Sequence, residues 1–122
     1  RMAWRSSGST NDEMVDKLKR YGIISSPCVE QGFRNVDRKH FVPHAIEDLA
    51  HADQPLREGF IHLSAPHIYG TAVEALELHE NAPLSFLNIG SGTGYLNCIV
   101  ASILGHTSTN YGVEAQLDVI QH

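Results

Sequence analysis

The sequence has little positive charge, almost no cysteine and no long apolar run, and each shortage excludes a class of protein. Nine Lys and Arg stand against fourteen Asp and Glu, a formal net charge of −5. Nucleic-acid and anionic-membrane surfaces need clustered positive charge, so neither partner is expected. No apolar stretch approaches the roughly 18 to 20 residues that cross a bilayer. The opening Arg1-Met2-Ala3-Trp4-Arg5 lacks the apolar core of a secretory signal, and Met2 reads as a natural start. Two cysteines, Cys28 and Cys98, make no disulfide framework. Both lie in helix-like stretches, so buried, reduced thiols and a cytoplasmic location are expected. The eight histidines show no ligand spacing, and Pro43 keeps His40 and His44 off a shared helical face, so no metal is expected.

What remains suits one modest globular domain: 122 residues, 42% of them hydrophobic. Residues 1–9 are polar and Ser/Gly-rich, a flexible lead-in apart from Trp4. Thr10-Asn11-Asp12-Glu13 has the capping-box form, and Met14, Val15, Leu18 and Tyr21 then recur at helical spacing until Gly22. Pro27 opens a second helix with Val29, Phe33 and Val36 on one face. The pattern from Asp37 to Glu58 is weak: His44 to His51 could form a short helix, and Asp53-Gln54-Pro55 reads as a loop.

Beyond it, Phe60 to Leu63 alternates like a short strand. Ser64-Ala65-Pro66 precedes a helix over about 67–78, with Ile68, Ala72, Ala75 and Leu76 along one side. Leu84 to Ile89 has the apolar character of a strand buried on both faces. Glycines follow at once, then a helix over Tyr95–Leu104 ended by Gly105, a strand over Tyr111–Glu114, and the start of a helix at Gln116. The order predicts an α/β chain: a helical amino-terminal region over 1–59, then the start of a cofactor-binding βαβ over 60–122.

The loop Gly90-Ser91-Gly92-Thr93-Gly94 sits at the strand-to-helix turn, where absent side chains let a ligand approach the backbone. Glu114, about 20 residues on at the end of the next strand, can accept hydrogen bonds from ribose hydroxyls. A dinucleotide fold usually spaces its glycines Gly-x-Gly-x-x-Gly to place a pyrophosphate on the helix N-terminus. The Gly-x-Gly-x-Gly spacing here instead suits S-adenosylmethionine, whose methionine portion carries no phosphate. A nicotinamide-dependent dehydrogenase fragment is the competing reading, and a tight turn beside a surface glutamate the plainest one. In Ile61-His62-Leu63-Ser64-Ala65-Pro66-His67-Ile68-Tyr69 the Ser64 hydroxyl can cap its own helix, or sit where a helix start receives an anion.

Together, Ile61 to His67 and Leu87-Asn88-Ile89-Gly90-Ser91-Gly92-Thr93-Gly94-Tyr95-Leu96 resemble the protein-L-isoaspartate O-methyltransferase family. Met2-Ala3-Trp4, Gly22-Ile23-Ile24, Val29-Glu30 and Val36-Asp37-Arg38 also fit its amino-terminal pattern, so the resemblance covers nearly the whole chain. It implies the amino-terminal part of a Rossmann-like S-adenosylmethionine-dependent methyltransferase fold, preceded by a helical lead-in. The implied reaction methylates the carboxylate of L-isoaspartyl residues in proteins for repair. Ser64 would be the active-site hydroxyl. Ile61, His62, Leu63, Ser64 and Tyr69 would line the S-adenosyl-L-methionine pocket with Asn88 and the loop Gly90 to Gly94, and Glu114 would hold the ribose.

Asn88 stands where active members usually have aspartate, and His62 where the pattern has threonine. The Asn88 variant is more like the domain-containing branch of the family. That branch implies an alternative, a non-catalytic cofactor-binding homologue acting as a substrate receptor for a ubiquitin ligase. A complete domain of this type takes about 200 residues, so the chain is expected to be its opening portion, completed by a longer chain or a protein partner.

Overall fold

A computed structural model of the chain describes residues 3–122, with side chains from Arg5 onward. The start read at Met2 lies outside the described residues. After a 3-10 turn at Ala3–Ser6 come α1 (Asn11–Arg20) and α2 (Pro27–Asn35), then 3-10 turns at Arg38–Phe41 and His44–Leu49. Two short strands, β1 (Leu56–Glu58) and β2 (Ile61–Leu63), precede α3 (Pro66–Ala75). The chain continues through β3 (Ser85–Ile89), α4 (Tyr95–Leu104), β4 (Thr109–Val113) and α5 (Leu117–Ile120).

The core forms where three helices meet. Met14, Val15 and Leu18 of α1, Val29 and Phe33 of α2, and Tyr95, Ile99 and Ile103 of α4 are all buried, as their helical spacing requires. Gly32 brings α2 onto α4, because a Cβ there would stand 2.8 Å from Ile103 Cγ1. β3 and β4 pair in parallel from Ser85↔Thr109 to Ile89↔Val113, with α4 as their crossover. The βαβ expected from the sequence is therefore present.

Other expectations need correction. The lead-in is docked: Ser6 is fully buried, the Gly8 N–H donates to the His51 carbonyl at 3.0 Å, and Ser7 Oγ accepts the Asp53 N–H at 2.8 Å. The capping box closes on one side only. Thr10 Oγ1 accepts the Glu13 N–H at 3.2 Å, while the Glu13 carboxylate takes the Ser9 N–H at 2.8 Å instead of reaching Thr10. β1 had no sequence signal; it pairs antiparallel with β2 through Leu56↔Leu63, both buried.

The face assigned to α3 is also reversed. Ile68, Ala72, Ala75 and Leu76 are exposed, whereas Pro66, Gly70 and Val73 are buried. Gly70 explains the choice: a Cβ there would lie 2.9 Å from Ile24 Cγ2 and 3.0 Å from Ile23 Cγ2, so the helix packs on its smallest residue. β3 is not covered on both faces. Phe86 and Asn88 are half-buried on one face, while Leu87 (57%) and Ile89 (78%) are exposed on the other. Cys98 is likewise exposed, and Cys28 is half-buried beside the Leu78 carbonyl.

Phe33 is fully buried and Leu87 is bare, so Phe33→Ala should cost about 3–5 kcal/mol. Leu87→Ala should stay within about 0.5 kcal/mol. Urea unfolding of both variants measures the contrast, and equal losses would contradict this placement of the core.

Candidate functional site

Two segments make the site. The first is the loop from the end of β3 into α4, where Gly90 (φ +79°), Gly92 (φ +58°) and Gly94 (φ +92°) all take left-handed backbone that favours glycine. The loop hangs from the end of β4: the Gly90 and Ser91 N–H groups both donate to the Val113 carbonyl, at 2.7 and 2.9 Å. Glu114 adds a further tie, its Oε2 accepting the Gly92 N–H at 2.9 Å and its Oε1 the Gln116 N–H at 3.0 Å. These backbone donors hold the Glu114 carboxyl below the usual carboxylate range.

The second segment runs from β2 into α3. The Ser64 N–H donates to Tyr69 Oη at 3.0 Å, and the Ser64 carbonyl accepts from Arg38 Nη2 at 3.0 Å. Its hydroxyl makes no hydrogen bond among the described residues, and it does not cap α3, where Ala65 is the cap residue. The capping expectation is corrected for a physical reason. Buried Asp53 already occupies that helix start, with Oδ1 accepting both the His67 N–H and His67 Nδ1 at 2.9 Å. A carboxylate at the positive end of the helix dipole does the work assigned to the serine.

Arg38 ties this segment to the rest of the molecule. Fully buried, it donates through Nη1 to the carbonyls of Ala50 and Ala52 and through Nη2 to those of Gln54 and Ser64, at 3.0–3.2 Å. Burial lowers its pKa, partly offset by Tyr95, Tyr69 and Asp53, yet a guanidinium keeps its charge. Tyr95 forms the floor, edge-on to Phe33 and Tyr69 with ring centroids 6.3 and 5.3 Å away. Burial pushes its phenol far above the ordinary range, so the hydroxyl stays neutral.

The two segments face each other across a cavity of about 230 Å³. His62, Leu63, Ser64, Tyr69, Asn88, Gly90, Ser91, Gly92 and Thr93 line it, all of them anticipated from the sequence. Tyr95 and Leu96 join them; they read as core helix in the sequence, and their place directly after the last glycine was the available signal. Ile61, Gly94 and Glu114 do not line it: Ile61 packs on the core, Gly94 starts α4, and Glu114 accepts the Gly92 N–H of the loop. Arg38, which holds the Ser64 carbonyl, and Asp53, which takes the His67 N–H, were missed as site residues because they fall in the stretch with no periodicity. Thr93 Oγ1 and Tyr95 Oη are buried without a partner among the described residues. No group of three or more His, Cys, Asp or Glu among those residues could hold a metal ion. No helix among them is long and apolar enough to cross a membrane.

A parallel βαβ with a glycine loop at its first turn, behind a helical platform, is the amino-terminal part of a Rossmann-like methyltransferase fold. Two solved structures named protein-L-isoaspartate O-methyltransferase share it. One, from Plasmodium falciparum and in complex with S-adenosyl-L-homocysteine, superposes with a TM-score of 0.78 at 24% identity over 93% of this chain and 53% of that one. The other gives a TM-score of 0.71 at 21% identity over 91% of this chain and 36% of that one. Residues 9–122 match the model of the protein-L-isoaspartate(D-aspartate) O-methyltransferase family, and the chain belongs to that family. Among curated relatives, the protein-L-isoaspartate O-methyltransferase of Caenorhabditis elegans is 36% identical over 98% of this chain and 52% of its own length. That of Thermosipho melanesiensis is 37% identical over 83% of this chain and 50% of its own. The chain thus spans about half the length of the curated relatives it matches.

Arg38→Met should destabilise the chain by about 3–5 kcal/mol, because several buried carbonyls lose a charged donor together. Chemical denaturation measures it, and a loss below about 1 kcal/mol would refute the tethering role. Glu114 gives a pH prediction. Its folded pKa is depressed, so its hold on the loop is complete above the unfolded value of 4.5 and is lost as pH falls through the lower folded value. The Gly92 amide proton should follow that titration in NMR with a midpoint below 4.5; a midpoint at or above it would refute the bond.

Proposed function

We propose that the chain binds S-adenosyl-L-methionine between the glycine loop and the Ser64 segment, and serves transfer of its methyl group to the carboxylate of L-isoaspartyl residues in proteins. The observation that carries this reading is the convergence of the two segments on one cavity, with the Ser64 hydroxyl left free there. The residues present fit the cofactor. Thr93 Oγ1 is a buried polar atom without a partner among the described residues, and a ligand can supply one. Glu114, beside the loop, keeps spare acceptor capacity on both oxygens after its backbone bonds, enough for ribose hydroxyls. The glycine spacing favours a nucleoside without phosphate over a dinucleotide.

Bound there, the cofactor would supply an electrophilic methyl on a sulfonium sulfur. The acceptor carboxylate is already ionised at neutral pH, so the site needs no general base. Its task is to align the reacting atoms and keep water out. Ser64 can donate its hydroxyl to one acceptor oxygen, while Tyr69 and Arg38 hold the serine backbone from either side. The cavity lies below the roughly 300 Å³ at which small-molecule sites usually begin. A further segment of chain, or a protein partner, would then supply the remaining walls. The substrates would be isoaspartyl-containing proteins or peptides, met in the cytoplasm, where free thiols such as Cys28 and Cys98 stay reduced. The helical region 1–59 would serve as the platform on which the cofactor-binding region 60–122 is set.

Titration calorimetry with S-adenosyl-L-homocysteine should show binding and with NAD none; binding of NAD alone would overturn the reading. In a chain extended to the length of its relatives, base-labile methyl ester should form on an isoaspartyl peptide and fall roughly a hundredfold in Ser64→Ala. Undiminished ester in that variant would remove Ser64 from the reaction.

A further inference from the structure

Three asparagines from three elements join beneath the cavity. Asn88 of β3 donates through Nδ2 to Asn97 Oδ1 of α4 at 2.9 Å. Asn97 Nδ2 donates to Asn110 Oδ1 of β4 at 2.7 Å and to the Tyr111 carbonyl at 3.0 Å. Asn110 Nδ2 returns to the backbone carbonyl of Asn97 at 3.0 Å. Two of these acceptors are backbone carbonyls, which can only accept. The Tyr111 carbonyl therefore demands the NH2 of Asn97, and the Asn97 carbonyl demands the NH2 of Asn110. With both amides so fixed, Asn97 can show Asn88 only an oxygen, and Asn88 must answer with its NH2. Its own Oδ1 is left over, without a partner among the described residues, on a side chain that lines the cavity.

We infer that Asn97 is a positioning residue: it fixes the Asn88 amide so that the cavity is offered an acceptor and not a donor. Asn97 itself does not line the cavity. The register leaves room for this relay, since Asn88 is paired with Gly112, where a Cβ would stand 2.8 Å from Ser91 Cβ and 3.4 Å from Asn97 Oδ1. The site so oriented accepts from an N–H donor of the ligand, as a carboxylate would, without bringing a charge. A carboxylate at position 88 fits poorly with Asn97 in place, because two acceptors would then face each other. Asn97 can turn over only by setting its own oxygen against the Tyr111 carbonyl. The identity of that ligand rests on the S-adenosylmethionine reading; the orientation of Asn88 does not.

Two measurements separate them. In the ligand-free chain, the Asn88 side-chain NH2 protons should exchange slowly with solvent, and Asn97→Ala should release them. Equal exchange in the two chains would overturn the relay. By calorimetry with S-adenosyl-L-homocysteine, Asn88→Asp should bind about tenfold more weakly than the parent, despite the negative charge it adds. Asn88→Asp combined with Asn97→Ser, whose hydroxyl can donate to the new carboxylate, should recover the parent affinity. Binding by Asn88→Asp that equals or exceeds the parent's, or no recovery in the double variant, would overturn the proposal. If even the parent chain fails to bind, the cofactor reading falls, and the exchange measurement still decides the orientation.

Discussion

A guanidinium with no access to solvent must find its partners within the protein, and Arg38 finds them in four carbonyl oxygens. Three belong to the stretch from Ala50 to Gln54 and the fourth to Ser64, so one charge binds an irregular loop to the start of α3. Burying that charge is costly; the four Nη bonds offset much of the cost, while Nε is buried without a partner among the described residues. The loop cannot shift without stranding the charge, and Ser64 cannot shift without leaving the loop. Asp53, in the same loop, completes the tether by taking the first N–H of α3, that of His67, and the His67 ring nitrogen. The amino-terminal lead-in then rests on the loop through Ser7 and Gly8. A region without regular structure is thus rigid for electrostatic reasons.

The opposite wall is held by different means. Its glycines take left-handed turns so that successive N–H groups point back at the end of β4, where the Val113 carbonyl and the Glu114 carboxylate receive them. One wall is fixed by a cation gathering carbonyls and the other by acceptors gathering N–H groups. Between them Tyr95 belongs to both the floor of the cavity and the core of the helices. The site is therefore continuous with the packing of α1, α2 and α4, and a change in that core is felt in the cavity.

The sheet contrasts with this well-supported site. β3 and β4 are covered by α4 on one face, while Leu87, Ile89, Tyr111 and Val113 remain exposed on the other. Contiguous apolar surface of this kind marks a contact face. Its presence agrees with a chain that spans about half the length of its relatives.

Much of the fold was legible in the residues. Helical spacing gave α1, α2 and α4, and the glycine loop with Glu114 beyond it gave the parallel βαβ, because these features are local: a period, a cap, a turn that only glycine makes easily. The family was legible for the same reason, through contiguous motifs at both walls of the cavity. What the sequence left hidden depends on neighbours distant along the chain. The buried face of α3 follows from Gly70 meeting Ile23 and Ile24, and the helix start lost its serine cap to Asp53. β1 exists only because β2 pairs with it. Val36-Asp37-Arg38 fitted the family pattern, but nothing local reveals that Arg38 is buried or which carbonyls surround it. Asn88 reads in the sequence as an amide replacing an acid. Only the tertiary structure decides which end of that amide the cavity receives, since the choice is made by backbone carbonyls on α4 and β4.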